Sequence, residues 1–290
     1  MKYQYSHHKI LHENVCSFEA VEYSRFKFGD TFIAEKFADE VFIGFIEQYG
    51  NLILEKSEIV ILPSPYHSIP TASNFLCSQF KKKLNQFLYQ HEKNACVESK
   101  IHRNQTYTED YGSMSFDERI NLISNDTYHI DRNFIQGKFC IFLDDIKITG
   151  SHEKTIDRIL NKFGVNGDFV FVYFAELCNK NINPNIENHY NYYAVKNISD
   201  LIKIINSSRF GFNTRIVKYL LKLDEVELLQ VIHSISEFKT NELLQLAISN
   251  NYHQINEYKN NINFLNNKQW QSIYKKDNER ASMLLSSPSV

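Results

Sequence analysis

Apolar residues recur along this chain with two different periods, and the alternation between them outlines its elements. Ile33, Phe37, Val41 and Phe45 fall four apart, flanked by Ala34, Ala38 and Phe42. That stripe predicts an amphipathic helix over 32–49, with Asp30 or Thr31 as its N-cap. Glu58 to Leu62 is instead a short apolar run, rich in β-branched residues and stopped by Pro63, as in a buried strand. Three prolines and two serines crowd Pro63–Pro70, so the chain there is a shaped loop. The four-residue period returns over Thr71–Gln90 at Leu76, Phe80, Leu84 and Leu88, with Phe87 beside them. Gly137 to Leu143 reads as a second buried strand ending in Asp144 and Asp145. A helix follows from Ser151 to Phe163, with Ile156, Ile159 and Leu160 on one face, and then a third apolar strand over Phe169–Phe174. Strands that are apolar throughout and alternate with helices describe an α/β fold, its mostly parallel sheet covered on both faces.

The rest of the chain is less regular. Residues 97–119 are polar and tyrosine-containing, and a long excursion of this kind inside a compact domain is usually functional or mobile. Ser115 and Glu118 then form a capping box opening a helix through Leu122. Beyond Cys178 an Asn- and Tyr-rich linker spans 179–194. Short helices follow at Leu201–Ile205, Thr214–Leu223, Glu225–Ile235, Asn241–Ser249 and near 267–276. The expected organisation is an N-terminal extension and helix (1–50), the α/β domain (51–180), an appended C-terminal helical domain (181–285) and a disordered tail (286–290).

Composition narrows the class. An apolar fraction of 43%, with 22 Phe and 17 Tyr, allows a sizeable core and argues against wholesale disorder. A net charge of −2 gives no support to nucleic-acid binding. Five scattered cysteines without a CxxC fit reduced thiols rather than a disulfide framework or a zinc spacing. Met1 to Val15 is polar and lacks the apolar stretch of a signal peptide. His7, His8 and His12 stand there on what reads as a frayed end. With no run long enough for a membrane span, a cytoplasmic protein is expected.

The chemistry concentrates in residues 139–155. A buried strand delivers Asp144 and Asp145 to its C-terminal edge, where open α/β sheets place their ligands. Lys147, Ile148, Thr149, Gly150, Ser151 and His152 then turn tightly into a helix N-terminus. Gly150 permits close backbone approach. Outward N–H groups, the hydroxyls of Thr149 and Ser151, and the positive helix end make an anion site for a phosphate monoester. The two carboxylates suit the hydroxyls of a ribose, with magnesium nearby, held mainly by substrate oxygens and water.

This segment resembles the ligand-binding motif of type I phosphoribosyltransferases: apolar strand, two acids, two variable residues, Thr-Thr-Gly, a small residue and Thr. The resemblance implies that Asp144 and Asp145 bind the ribose hydroxyls, while Thr149, Gly150 and Ser151 cradle the 5′-phosphate. Two positions depart from the pattern, Ile148 at the first Thr and His152 at the last. The resemblance runs in order over about residues 58–178. Ile59–Pro65 looks like the family's first strand and pyrophosphate loop, giving Ser64, Pro65 and Tyr66 a place there. Residues 100–119 look like the flexible hood of the competence-associated and amidophosphoribosyltransferase branches, through Arg103 and the stretch Met114 to Arg119. Lys100 or Arg103 is placed to meet pyrophosphate. The flanks are similar to phosphoribosyltransferase-like proteins of bacterial stress-response or conflict gene sets.

By resemblance, then, the donor is phosphoribosyl diphosphate with Mg2+, the acceptor an unidentified nitrogen, and the product of displacement pyrophosphate, with a homodimer usual for the family. Tyr107 and Tyr111 stand in the hood, where they would close over the site. A regulatory module that binds the phosphoribosyl ligand without transferring it is the alternative kept open by Ile148 and His152.

Overall fold

In the computed structural model of the protein, residues 1–13, 15–104 and 128–268 are described. The expected capping box at Ser115 and Glu118, together with Tyr107, Tyr111, Arg119 and the segment 286–290, lies outside them. The chain divides into two compact units, Met1–Ile216 and Val217–Val290.

The first unit is built on a five-stranded, wholly parallel sheet. Its strands are β1 (Lys2–Ile10), β2 (Ile59–Pro63), β3 (Val97–Glu98), β6 (Phe139–Lys147) and β7 (Asp168–Leu177), in the order β1-β7-β6-β2-β3. A separate antiparallel pair, β4 (Ile101–Arg103) and β5 (Tyr128–Ile130), stands beside it. Helices α1 (Ala20–Lys27), α2 (Thr31–Leu54) and α3 (Ala72–Gln90) belong to one core, which takes Ile59, Ile61, Phe139, Ile141, Val170 and Val172 from the sheet. The intervening residues Val60, Leu62, Cys140, Phe142, Phe169 and Phe171 enter a second core with Ile135 of α4 (Arg132–Ile135) and Ile156, Ile159 and Leu160 of α5 (Ser151–Lys162). The strict alternation between two buried faces explains why these strands read as unbroken apolar runs. An α/β architecture with its parallel sheet covered on both faces is therefore present.

Local signals set the boundaries. Asp30 caps α2, accepting from the N–H groups of Phe32 and Ile33. Thr71 opens α3 through a capping box with Asn74. The expected frayed N-terminus is corrected: Lys2–Ile10 pairs in parallel along β7 as the sheet's edge. Its alternating Tyr3, Tyr5 and His7 look polar in sequence but half-bury against α2. The expected linker over 179–194 also contains a short helix, α6 (Ile186–Asn191), whose Ile186 and Tyr190 join the first core.

Helix α7 (Ile198–Ile205) lies in the first unit, and α8 (Thr214–Lys222) runs across the division. The second unit is helical: α9 (Glu225–Ser234), α10 (Glu237–Ser249) and a run over 256–268. Leu228, Val231, Leu243, Leu244, Tyr252, Tyr258 and Leu265 form its buried side chains. Asn261 donates to the carbonyls of Leu221 and Leu223, closing the exposed end of α8. Among the described residues no helix is long and apolar enough to cross a membrane. The five cysteines are free, and burial pushes the Cys96 and Cys140 thiols up to about 12.

Candidate active site

The connection from β2 through α3 leads outward to β3, whereas that from β6 through α5 leads the opposite way to β7. The crevice beyond the carboxyl ends of β2 and β6 is therefore a topological switch point, the ordinary ligand position in an open α/β sheet. The pairing of Pro63 with Leu143 puts Ser64 and Asp144 side by side at that edge. A small cleft there is lined by Pro63, Ser64, Asp144, His152, Ile156 and Tyr173, among others.

Asp144 is the centre of the cleft's polar network. Ser64 donates to its Oδ1 at 2.6 Å and the Asp145 N–H to the same oxygen at 2.9 Å, while His152 Nδ1 lies 2.6 Å from Oδ2. Behind Ser64 the chain of hydroxyls continues through Ser73, which donates at 2.7 Å, to Thr71. Burial raises the carboxyl, but the charge and hydrogen bond of His152, with the bonds from Asp145 and Ser64, outweigh it and hold Asp144 well below the usual range.

Asp145 points elsewhere. Its Oδ2 accepts from the Tyr23 hydroxyl at 2.7 Å and from the Lys27 ammonium, both on α1. Lys27 and Asp145 keep side-chain exposures of only 11% and 8%, so this is a buried ion pair. Burial raises the Asp145 carboxyl; Lys27 offsets part of that, and the neighbouring Asp144 adds to it. The paired acids expected to face one ligand are thus held on two sides of the strand.

The turn after β6 has the expected backbone. Gly150 takes φ +71°, the left-handed region that favours glycine, and serves as the N-cap of α5 without a side-chain cap. The first-turn N–H groups of α5 consequently lack intrahelical acceptors. Thr149 donates to Ser151 Oγ at 2.9 Å, and the Ser151 N–H donates to Thr149 Oγ1 at 3.4 Å. Ile148 packs against the first core, which accounts for an apolar residue at that position. Lys147 turns away, bonding Gln4 and Glu153 at 2.6 Å each.

Those observations describe a strand, a pair of acids and a left-handed turn into a helix, at a switch point. A family model described as PRTase ComF-like matches residues 1–265. The chain belongs to this family. Among solved structures it is similar to a hypoxanthine phosphoribosyltransferase from Staphylococcus aureus, at 14% identity over 49% of this chain and 74% of that one, with a TM-score of 0.32. It is also similar to a purine phosphoribosyltransferase from Pyrococcus horikoshii, at 9% identity over 49% and 82%, with a TM-score of 0.27. None of the curated proteins matches it.

In this phosphoribosyltransferase-family chain Lys100 and Arg103 stand at the β4–β5 pair. Lys100 donates to the His67 carbonyl at 2.7 Å and lies over the Tyr66 ring, 3.7 Å from its centroid. Burial lowers its pKa. The backbone N–H of Arg103 donates to the Tyr66 carbonyl, tying β4 to the proline loop. Pro65 is buried beside Ser64. Tyr23 and Lys27 are the site residues that sequence reasoning missed. The available signal was a lysine between two aromatic residues, Phe26 and Phe28, at the end of a short helix.

Proposed function

We propose that this chain binds phosphoribosyl diphosphate in the Asp144 cleft and transfers its phosphoribosyl group to a nitrogen acceptor, releasing pyrophosphate. The observation that carries this reading is the continuous path from Asp144 through left-handed Gly150 to the N-terminus of α5. Thr149, Gly150, Ser151 and the first-turn amides would receive the 5′-phosphate. Asp144 would accept from a ribose hydroxyl, which requires His152 to swing off Oδ2. An acceptor nitrogen forms the new bond at the anomeric carbon as the bond to pyrophosphate breaks. The protein's part is positioning and exclusion of water.

The cleft's donor set fits magnesium, since Asp144, Ser64 and Tyr173 offer hard oxygens and no thiol lines it. Asp144, with the ligand's own oxygens and water, would hold the ion. When bound, it supplies neutralisation of the departing pyrophosphate.

The buried Lys27–Asp145 pair favours a second reading, a ligand-sensing module that keeps the phosphate loop without transfer. Calorimetric titration with phosphoribosyl diphosphate and Mg2+, paired with a pyrophosphate-release assay over a panel of nucleobases, separates the two. Binding with release supports the transferase, and binding without release supports the sensor. No binding to folded protein rejects both.

A further inference from the structure

Strand β1, which the sequence presents as a frayed polar end, carries a cluster that the cleft does not use. Among the described residues, His7 and His8 of β1 and Glu40 of α2 each offer a ligand atom, and these atoms all lie within 4.8 Å of one another. Successive residues of a regular strand point to opposite faces, so two adjacent histidines should not share a site. Here the regularity breaks. The register of β1 against β7 is the same on both sides of His7, with Ser6 opposite Tyr173 and His8 opposite Ala175, but the alternation of faces shifts there. Tyr3 and Tyr5 on one side of His7, and Ile10 on the other, all pack into the same core. Both imidazoles reach α2, His8 at Glu40 and His7 at Gly44, with ring centroids 4.6 Å apart.

The surroundings suit an ion. His8 Nε2 and Glu40 Oε2 are 3.5 Å apart. Ligand atoms of a tetrahedral zinc site, with bonds of about 2.0–2.1 Å, stand about 3.4 Å apart. Tyr5 Oη lies 2.9 Å from His7 Nδ1, an outer partner of the kind that fixes a liganding ring. Gly44 of α2 makes this possible, because a Cβ there would sit 2.0 Å from Tyr5 Oη and 3.1 Å from His7 Nδ1. Two imidazoles and a carboxylate are a borderline donor set, unlike the all-oxygen sets of magnesium and calcium.

We propose that His7, His8 and Glu40 form a zinc site that staples β1 to α2, with solvent completing the coordination. The site is separate from the Asp144 cleft and does not depend on the function assigned to it.

The test uses the untagged full chain, stripped with chelator and titrated with zinc alone. One tightly held zinc per chain is expected, with a thermal midpoint several degrees higher in excess zinc. His8→Gln and Glu40→Gln should each weaken binding by at least about 10–100-fold, the loss that even outer-shell changes produce. Folded variants that bind zinc as the parent does would overturn the site, leaving a His8–Glu40 ion pair and a Tyr5–His7 hydrogen bond. Should the variants not fold, the parent chain decides through cobalt substitution and carbethoxylation mapping. Intense visible bands of a four-coordinate ion, with zinc protecting His7 and His8 among the 11 histidines, uphold it. Weak octahedral absorption, or protection only at other histidines, rejects it.

Discussion

Asp144 leans from β6 toward α5, where Ser64 and His152 hold it and 17% of its side chain stays exposed, whereas Asp145 leans toward α1, where Tyr23 and Lys27 close over it. Strand geometry sends consecutive side chains to opposite faces, so two adjacent acids divide between two environments unless something re-aims them. Asp144 is held by groups that a ligand can replace, a hydroxyl and an imidazole at the cleft. Asp145 is held by a buried ammonium that nothing in solution replaces cheaply. On the proposed function Asp144 takes the recognition role, while Asp145 ties the sheet to α1.

Breaking the anchor should have the largest effect. Lys27→Met leaves Asp145 buried with Tyr23 alone, and removal of one partner from a buried pair costs about 3–5 kcal/mol. Urea unfolding monitored by circular dichroism should show that loss. Lys27→Met combined with Asp145→Leu should recover much of it, because an apolar pair leaves no stranded charge. A single variant as stable as the parent would mean that Asp145 is not anchored by Lys27.

The recognition side should respond in affinity instead. Asp144→Asn removes a charged acceptor whose hydrogen bonds are worth about 1.5–3 kcal/mol, or roughly 10–150-fold in the dissociation constant for phosphoribosyl diphosphate. Calorimetry on the folded variant reads this directly. An unchanged constant would leave the phosphate loop as the whole of the site. Gly150→Ala is expected to be milder. The only neighbour a Cβ would meet there is Lys147 Cε, at an ordinary 3.5 Å, so the cost is the left-handed φ alone, about 1–2 kcal/mol of stability. A larger loss would show that the turn needs more than conformational freedom.

Much of this was legible in the residues, and the reasons for the failures are physical. β2, β6 and β7 are buried on both faces, so their apolar runs could not be mistaken, although β6 and β7 continue past their apolar stretches to Lys147 and Leu177. β1 escaped because an edge strand is paired on one side only and tolerates Gln4, Ser6 and Lys9. The turn after β6 was readable because Gly150, at φ +71°, has a conformational reason to be where it is. The grip of Lys27 on Asp145 was not, since it joins residues 118 apart in sequence. No local pattern on α1 announces which strand its lysine will meet.

The finest form of the comparison is a titration, because the two acids should pull the pH dependence of stability in opposite directions. Asp145 has a raised carboxyl, so just above the unfolded pKa of about 3.9 the folded chain binds more protons than the unfolded one. Its contribution to stability grows as pH falls through that window. Asp144 is depressed, so below about 3.9 the unfolded chain binds more protons, and the stability it supplies at higher pH is lost as the solution becomes more acid. Urea midpoints collected against pH should therefore lose their steepest acid limb in Asp144→Asn. In Asp145→Asn they should lose the gain on the less acid side. Equal changes in the two variants would mean that the carboxyls share one environment, and the division of labour drawn from β6 would have to be abandoned.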